Sequence, residues 1–294
     1  MYDIEALYEA KTVEEAVTLL QEHPEAKIIA GGSDVLIKIR EGRMAGCTLV
    51  SIYGIDSLRG VTMDEDETIR IGSLTSFLHI TASEIVQKHI NVLGEAVDKV
   101  GSPQVRAIGT IGGNTCNGVT SADSASTLWA LDAIIEITGP EGVRRVPIRE
   151  FYTGPGRVAL KSAEIETAVL IPKKSYEGYQ GHYIKYGMRN AMEIATTGCS
   201  VNVKLSEDRK IVEDVRVGFG VAAPTPMRAV TAEAKVRGMA ANADTAKFLG
   251  KAVLEDVNPR DSWRAAKDFR LHLCSTMAEQ AFLEAVKKSG GDLL

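Results

Sequence analysis

Apolar positions recur at helical spacing in some stretches and in short unbroken runs in others, and the two patterns alternate without a fixed period. Val13, Ala16, Val17, Leu19 and Leu20 share one face of a helix predicted from about Thr12 to Glu22, where Thr12 and Glu15 make a capping box. This helix is the first element expected. The run Lys27-Ile28-Ile29-Ala30 stops at Gly31-Gly32-Ser33-Asp34 and is followed by the apolar segment Val35 to Ile39, which reads as strand, tight turn and helix. Strands are expected at Thr48 to Ile52 and Thr68 to Ile71, and one helical stretch from about Ser83 to Val100.

A second glycine-rich stretch, Gly109-Thr110-Ile111-Gly112-Gly113-Asn114, leads into small and polar residues through Ser126, then a strand from Ala133 to Thr138. Tyr152-Thr153-Gly154-Pro155-Gly156 is expected as a loop and Ile165 to Ile171 as a strand. Pro172 and the polar stretch Lys173 to Gly181 mark a domain boundary. Beyond it come three strands, at His182 to Tyr186, Cys199 to Leu205 and Val212 to Phe219. Helical patterns follow over about Thr231 to Arg237, Asp244 to Leu254 and Ala265 to Lys287. Strands first and helices afterwards predict a small α+β unit with helices on one face of an antiparallel sheet.

The length of 294 residues suits about two cores. With 34 Lys and Arg against 39 Asp and Glu, the net charge of −5 argues against nucleic acid or an anionic membrane as partner. The start Met1-Tyr2-Asp3-Ile4-Glu5 lacks the basic residues and apolar run of a secretory signal, so a cytoplasmic location is expected. Cys47, Cys116, Cys199 and Cys274 stand far apart with no CxxC pair, which argues against a zinc site or an iron–sulfur cluster held by this chain.

Glycine turns that follow strands suit an anion, because residues without side chains let backbone N–H groups reach phosphate oxygens. Either turn alone is ordinary turn chemistry. Two of them, trailed by Ser33 and Asp34 and by Thr110, Asn114, Asn117, Ser121 and Asp123, point to a bound dinucleotide. Gly218-Phe219-Gly220-Val221-Ala222-Ala223 formally matches the pattern G-x-G-x-x-A, but Pro224 and Pro226 fall where its helix would begin, so it reads as a strand end and turn. The five histidines are scattered and pair with no nucleophile motif. Arg260, Arg264 and Arg270 lie near Trp263, where they form either a solvated face or a site for an acidic partner.

At the two glycine turns the sequence resembles the FAD-binding subunits of the molybdenum hydroxylases, the xanthine dehydrogenase and carbon monoxide dehydrogenase family. Ala30-Gly31-Gly32-Ser33-Asp34 is similar to that family's A-G-G-T-D, and Thr110-Ile111-Gly112-Gly113-Asn114 to its T-I-G-G-N. Gly101-Ser102-Pro103-Gln104-Val105-Arg106 and the run Trp263 to Arg270 also look like family segments, and the Ser121-Ala122-Asp123-Ser124 region and Gly218 to Pro226 look like the bacterial xanthine dehydrogenase type.

The resemblance implies an α+β fold: a two-part FAD-binding domain of the vanillyl-alcohol oxidase (PCMH) type over residues 1–176, with subdomains of about 1–55 and 56–176. A small α+β C-terminal domain of the CO dehydrogenase flavoprotein type would span residues 177–294. It further implies that Lys27, Ile28, Ile29, Ala30, Gly31, Gly32, Ser33 and Asp34, with Gly109, Thr110, Ile111, Gly112, Gly113 and Asn114, hold the FAD pyrophosphate. Asn117 and Asp123 would continue the flavin site, Ile165 would lie near the adenine and Lys185 close to the cofactor, with Arg189 to Ile194 a mobile loop beside the flavin ring. Animal members carry an aromatic residue at the position of Val100, so flavin stacking is managed differently here.

The resemblance assigns no catalytic residue and no metal ligand to this chain. Molybdopterin on a large partner subunit and two [2Fe–2S] clusters on a small one would complete a heterotrimer, expected to be doubled, with NAD+ as acceptor. The substrate would be set by the molybdenum subunit, and a purine is favoured by resemblance only; carbon monoxide, nicotinate and aldehydes are the related alternatives. A stand-alone flavin reductase of the UDP-N-acetylenolpyruvoylglucosamine reductase type, or a scaffold with a vestigial flavin site, are competing readings. Neither the C-terminal pattern nor the intact glycine turns favour them.

Overall fold

The computed structural model describes residues 2–292, so the first residue and the last two of the expected domains lie outside the described residues. The chain begins with a strand, Ile4–Glu9, ahead of the helix expected as its first element. Leu7, 55% exposed, sits on the solvent side of this strand and spoils the alternation that would have announced it. The helix Val13–Glu22 follows, and Thr12 Oγ1 accepts from Glu15 N at 3.1 Å as a cap should. The Glu15 carboxylate closes the motif on Lys11 N at 2.7 Å, one residue before the position of a standard capping box.

Three sheets carry the fold. Ile4–Glu9, Cys47–Ser51 and Lys27–Ile29 pair side by side, all parallel, in that spatial order. Val61–Met63, Ile69–Gly72, Ile165–Ile171, Ile134–Gly139 and Gly142–Pro147 form a five-stranded antiparallel sheet in that order. Every residue of Ile165–Ile171 is buried, as its unbroken apolar run predicts for a central strand. Tyr179–Tyr186, Thr197–Leu205, Val212–Gly220 and Met227–Arg228 make the third sheet, antiparallel throughout. Its first strand starts within the segment read as a boundary. Gly218 to Gly220 closes a strand and Val221 turns at φ 62°, so no dinucleotide helix begins there.

Several helices escape a periodicity search. The stretch expected as one helix is two, Glu84–His89 and Asn91–Asp98, because Ile90 leaves the helical backbone at φ −140° and ψ 42°. Phe77–Ala82 precedes them, capped by Ser76 Oγ, and Pro103–Ile108 is capped by Ser102 Oγ. Asp123–Ala130 lies where only small and polar residues were read; all eight of its residues are buried, and a helix buried all round has no polar face to set a 3.6-residue period. Tyr152–Gly154, expected as loop, pairs with Arg157–Val158 in a short hairpin.

Helices Val230–Val236, Ala243–Ala252 and Lys267–Lys288 pack with the third sheet into one apolar core. Asn91–Asp98 and Asp123–Ala130, from the first half of the chain, also pack on this sheet. The approach is close: a Cβ on Gly218 would lie 2.0 Å from the Ser126 carbonyl oxygen. Charged groups tie the same seam. Asp132 accepts from Arg228 at 2.7 Å, and Glu95 from His182 at 3.0 Å and from Lys288. Among the described residues no helix is long and apolar enough to cross a membrane.

Candidate cofactor site

The first turn leaves the strand Lys27–Ile29 and enters the helix Val35–Arg40. Gly32 takes φ 74°, in the left-handed region that glycine enters without strain. Among the described residues, no acceptor in the chain is found for the N–H groups of Gly31, Gly32, Ser33 or Asp34. Bare amide donors in a turn are what an anionic group needs.

The second turn differs from its sequence expectation in two ways. Its residues are the start of a helix, Ile111–Cys116, capped by Thr110 Oγ1, which accepts from Gly113 N at 3.1 Å. Two adjacent glycines disfavour a helix by about 1 kcal/mol each, and packing overrides them. Most of its amides are also already used: Gly109 N donates to Val105 O at 2.7 Å, Ile111 N to Thr75 O at 3.1 Å, Gly112 N to Ser73 O at 2.9 Å and Asn114 N to Thr110 O at 3.0 Å. The glycines here serve close approach. A Cβ on Gly112 would stand 2.6 Å from Ser73 Cβ, and one on Gly31 only 1.9 Å from the carbonyl oxygen of Ile108, next to the second turn.

The two turns, packed together at Gly31, both line a cleft of about 670 Å³, within the usual range of roughly 300–1,000 Å³ for small-molecule sites. Of the residues expected at the site, Lys27, Ile28, Ala30, Gly31, Gly32, Ser33, Asp34, Gly109, Thr110, Gly112, Gly113, Asn114, Asn117 and Ile165 line it. Ile29 belongs to its strand, and Ile111 is fully buried beneath the second turn. Glycine cradles, unpaired amides and an aliphatic wall of Val100, Val105, Val158 and Leu160 suit a dinucleotide, with anionic groups at one side and a flat apolar ring system at the other. Among the described residues, Phe77 is the one aromatic on the wall, and Val100 packs against the main core.

Asp123 and Lys185 do not line the cleft. Lys185 Nζ donates to Asp123 Oδ2 at 2.8 Å, to Lys99 O at 2.9 Å and to Glu193 O at 2.9 Å, and Tyr183 OH donates to Asp123 Oδ1 at 2.7 Å. Burial raises the Asp123 carboxyl from its ordinary range against the pull of Lys185 and Tyr183. The pair fastens the loop after Tyr186 to the residue before Val100, so its reach to the cleft is through the backbone it holds. Glu193 Oε1 accepts from Arg189 N at 2.8 Å, and Met192 N donates to Gly101 O at 3.3 Å, so the segment Arg189 to Ile194 is bonded to the turn beside the cleft.

Three features of the cleft were missed. Lys38 reaches both sides, 2.5 Å from Asp34 Oδ2 and 3.3 Å from Asn117 Oδ1; its position four residues after Asp34 on a helix was the available signal. It offsets a carboxylate that would otherwise repel phosphate. Residues 156–166 supply the far wall, of which only Ile165 was expected at the site. Glu166, 3% exposed, sits on that wall with no cation beside it among the described residues, accepting from Thr115 Oγ1 at 2.7 Å and Cys116 Sγ at 3.1 Å. Burial raises its carboxyl to about 8, and burial together with Glu166 holds the Cys116 thiol well above its ordinary value.

A cleft lined by two glycine turns, one of them with open backbone amides, defines the class: a dinucleotide-binding subunit. The pattern of the FAD binding domain in molybdopterin dehydrogenase matches residues 2–174, and that of the CO dehydrogenase flavoprotein C-terminal domain matches residues 182–285. The chain belongs to the FAD-binding medium subunits of the molybdenum hydroxylase family. It is 43% identical over 293 residues, all of both chains, to the xanthine dehydrogenase FAD-binding subunit of Escherichia coli O157:H7. It is 32% identical to the nicotinate dehydrogenase FAD-subunit of Eubacterium barkeri, covering 70% of this chain and 71% of that one. Among solved structures, the carbon monoxide dehydrogenase of Hydrogenophaga pseudoflava lacking the Mo-pyranopterin moiety superposes with a TM-score of 0.91 at 28% identity, covering 98% of this chain and 99% of that one.

Proposed function

We propose that this chain is the FAD-carrying electron-transfer subunit of a xanthine dehydrogenase-like complex, taking electrons from [2Fe–2S] clusters on a small partner while a large partner holds molybdopterin. NAD+ is the proposed acceptor, a purine the proposed substrate of the complex and the cytoplasm its location. Residues 1–176 are the proposed FAD domain and 177–294 the C-terminal domain. The observation that carries the reading is the cleft itself, lined both by Gly31 to Asp34, whose amides have no acceptor among the described residues, and by an aliphatic wall. Bound FAD would supply the two-electron and one-electron chemistry that links clusters to a nicotinamide.

The chain's residues bind and orient. Gly31 to Asp34 donate to the pyrophosphate, Lys38 holds the positive charge beside it and Asn117 positions Lys38 from the second turn. The Ile165 side gives the adenine its wall, and the valines and Leu160 exclude water at the other end. Cys116 lies on the cleft but stays a thiol, because desolvation at this partly buried position and the neighbouring Glu166 disfavour the thiolate that a covalent bond would need. The flavin is therefore expected to come off entirely on acid precipitation of the purified chain. Yellow colour left in the pellet would mean a covalent link and a different role for Cys116.

Expressed alone, the chain is expected to bind FAD and reduce dyes slowly with NADH, yet convert no purine. Steady formation of urate from xanthine and NAD+ without any partner subunit would overturn the electron-transfer reading in favour of a self-sufficient enzyme. The same assay on the tagged native complex, with its iron and molybdenum content, tests the partner assignment.

A further inference from the structure

A second, smaller pocket of about 40 Å³ lies at the seam between the two halves of the chain and shares no residue with the cofactor cleft. At roughly 10–15 Å³ for each water, it has room for about three waters or one tetrahedral oxyanion. The end of the helix Glu84–His89 and the start of the helix Asn91–Asp98 line it from the first half, and the strand Tyr179–Tyr186, Asn202 on the next strand and Lys288 on the last helix line it from the second. Its lining favours negative charge. Lys88, His89 and Lys288 reach the pocket and no aspartate or glutamate does, in a chain whose net charge is −5. Lys288 Nζ is already committed to Glu95, to Gly181 O at 2.9 Å and to His182 Nδ1 at 3.1 Å. Lys88 is not: among the described residues its ammonium group has neither an ion pair nor a hydrogen bond.

The backbone adds donors. The N–H groups of Asn91 and Val92, at the start of an eight-residue helix, have no acceptor among the described residues, and the positive end of the helix dipole lies with them. An open helix start is commonplace, but this one meets a buried amide with the same need. Asn202 is 1% exposed, and its Nδ2 has no partner among the described residues. A Cβ on Gly181 would stand 2.0 Å from Asn202 Oδ1 and 3.0 Å from Val92 Cβ, so the amide side chain and the helix start converge on the glycine that lines the pocket. A buried amide donor without a partner is destabilising, and an oxygen held in the pocket supplies the partner.

We propose that this pocket binds one tetrahedral oxyanion of the phosphate class, held by the Asn91 and Val92 amides, Asn202 Nδ2 and the Lys88 ammonium group, and that the anion fastens the C-terminal sheet to the first half of the chain. The donors come from both sides of the seam, so one ion bridges what Glu95, His182 and Lys288 already hold by charge. The volume suits inorganic phosphate, whereas a phosphate ester would have to leave its organic part in solvent. Nothing in this site depends on the flavin or on the partners of the chain.

The test uses the full-length chain with saturating FAD, which keeps phosphate out of the cofactor cleft, in a phosphate-free buffer of constant ionic strength. Inorganic phosphate is titrated by calorimetry and the melting temperature is followed over the same range, for the parent, for Lys88→Glu and for Lys251→Glu. Lys88 and Lys251 are both exposed, and Lys251, on the helix Ala243–Ala252, lines neither pocket, so the second variant matches the change of charge alone. The parent is expected to bind one phosphate per chain and to melt higher as phosphate rises. Lys88→Glu is expected to bind at least tenfold more weakly, as the loss of one charge-assisted hydrogen bond implies, and to lose the melting response, while Lys251→Glu keeps both. Glycerol phosphate is expected to bind the parent more weakly than inorganic phosphate. No stoichiometric binding to the parent, or equal behaviour of the two lysine variants, overturns the site, and tighter binding of the ester overturns inorganic phosphate as its occupant.

Discussion

Gly31→Ala is expected to yield a chain that purifies without yellow colour. Its Cβ would stand 1.9 Å from the Ile108 carbonyl oxygen and 2.8 Å from the carbonyl carbon, backbone atoms with no rotamer to yield. The two turns must then separate by more than 1 Å, or the helix Pro103–Ile108 must shift, and overpacking of this kind costs roughly 1–3 kcal/mol. The separation also moves the unpaired amides of Gly31 to Asp34 away from Lys38's partner Asn117, so the anion loses backbone and cationic donors together. Flavin per chain after gel filtration should fall at least tenfold, with a lower melting temperature. Gly54→Ala is the matched control, since its Cβ would meet Lys11 Nζ at 3.5 Å and the Ala10 carbonyl oxygen at 3.8 Å, both ordinary van der Waals contacts. Full flavin occupancy in Gly31→Ala would show that the contact between the turns does not set the cleft.

Glu166 should impose a pH dependence on stability that glutamine removes. In the unfolded chain its carboxyl ionises near the ordinary 4.5, whereas in the fold burial holds the proton until about 8. Between those values the folded chain keeps a proton that the unfolded chain has released, so stability falls as pH rises across the window, and the full loss is present above 8. At roughly 1.4 kcal/mol per unit the fall is of order 4–5 kcal/mol. Tyr152 and Cys116, the titratable groups facing Glu166, stay protonated throughout, and Asp123, also raised by burial, slopes in the same direction in both proteins. Glu95, Glu136 and Glu164 are shifted downward by their cations and act below this window. Urea unfolding of the flavin-free chains should therefore find Glu166→Gln gaining on the parent by roughly 3 kcal/mol between pH 6 and pH 9. A constant difference across that range would mean that the Glu166 site is wet enough to ionise freely.

Legibility in the sequence followed the physics of exposure. Val13–Glu22 and Val35–Arg40 each have one wet face, so their apolar spacing showed, and Ile165–Ile171 is dry on both faces, so its continuous run showed. Asp123–Ala130 is as dry as that strand but is built from Ala, Ser and Thr small enough to let Gly218 approach, a composition that reads as loop. The glycine turns were visible because glycine is needed at both. That the first keeps its amides open while the second spends them on Val105, Thr75 and Ser73 was not, since Thr75 and Ser73 are distant in sequence and come within reach only in the fold. Lys38 could have been inferred from Asp34, whereas the wall around Glu166 could not: an isolated glutamate in an apolar run carries no sign of whether a cation will sit beside it.

The unequal state of the two turns has a consequence for how the finished subunit arises. The second turn has most of its donors satisfied as soon as the chain has folded around Ser73 and Thr75, with no help from a small molecule. The first is left with donors that only water or a ligand can satisfy, so loading finishes one wall of a pocket whose other wall already stands. Loading then becomes a local event on a preassembled body, settled at one turn and not by the folding of the chain around it.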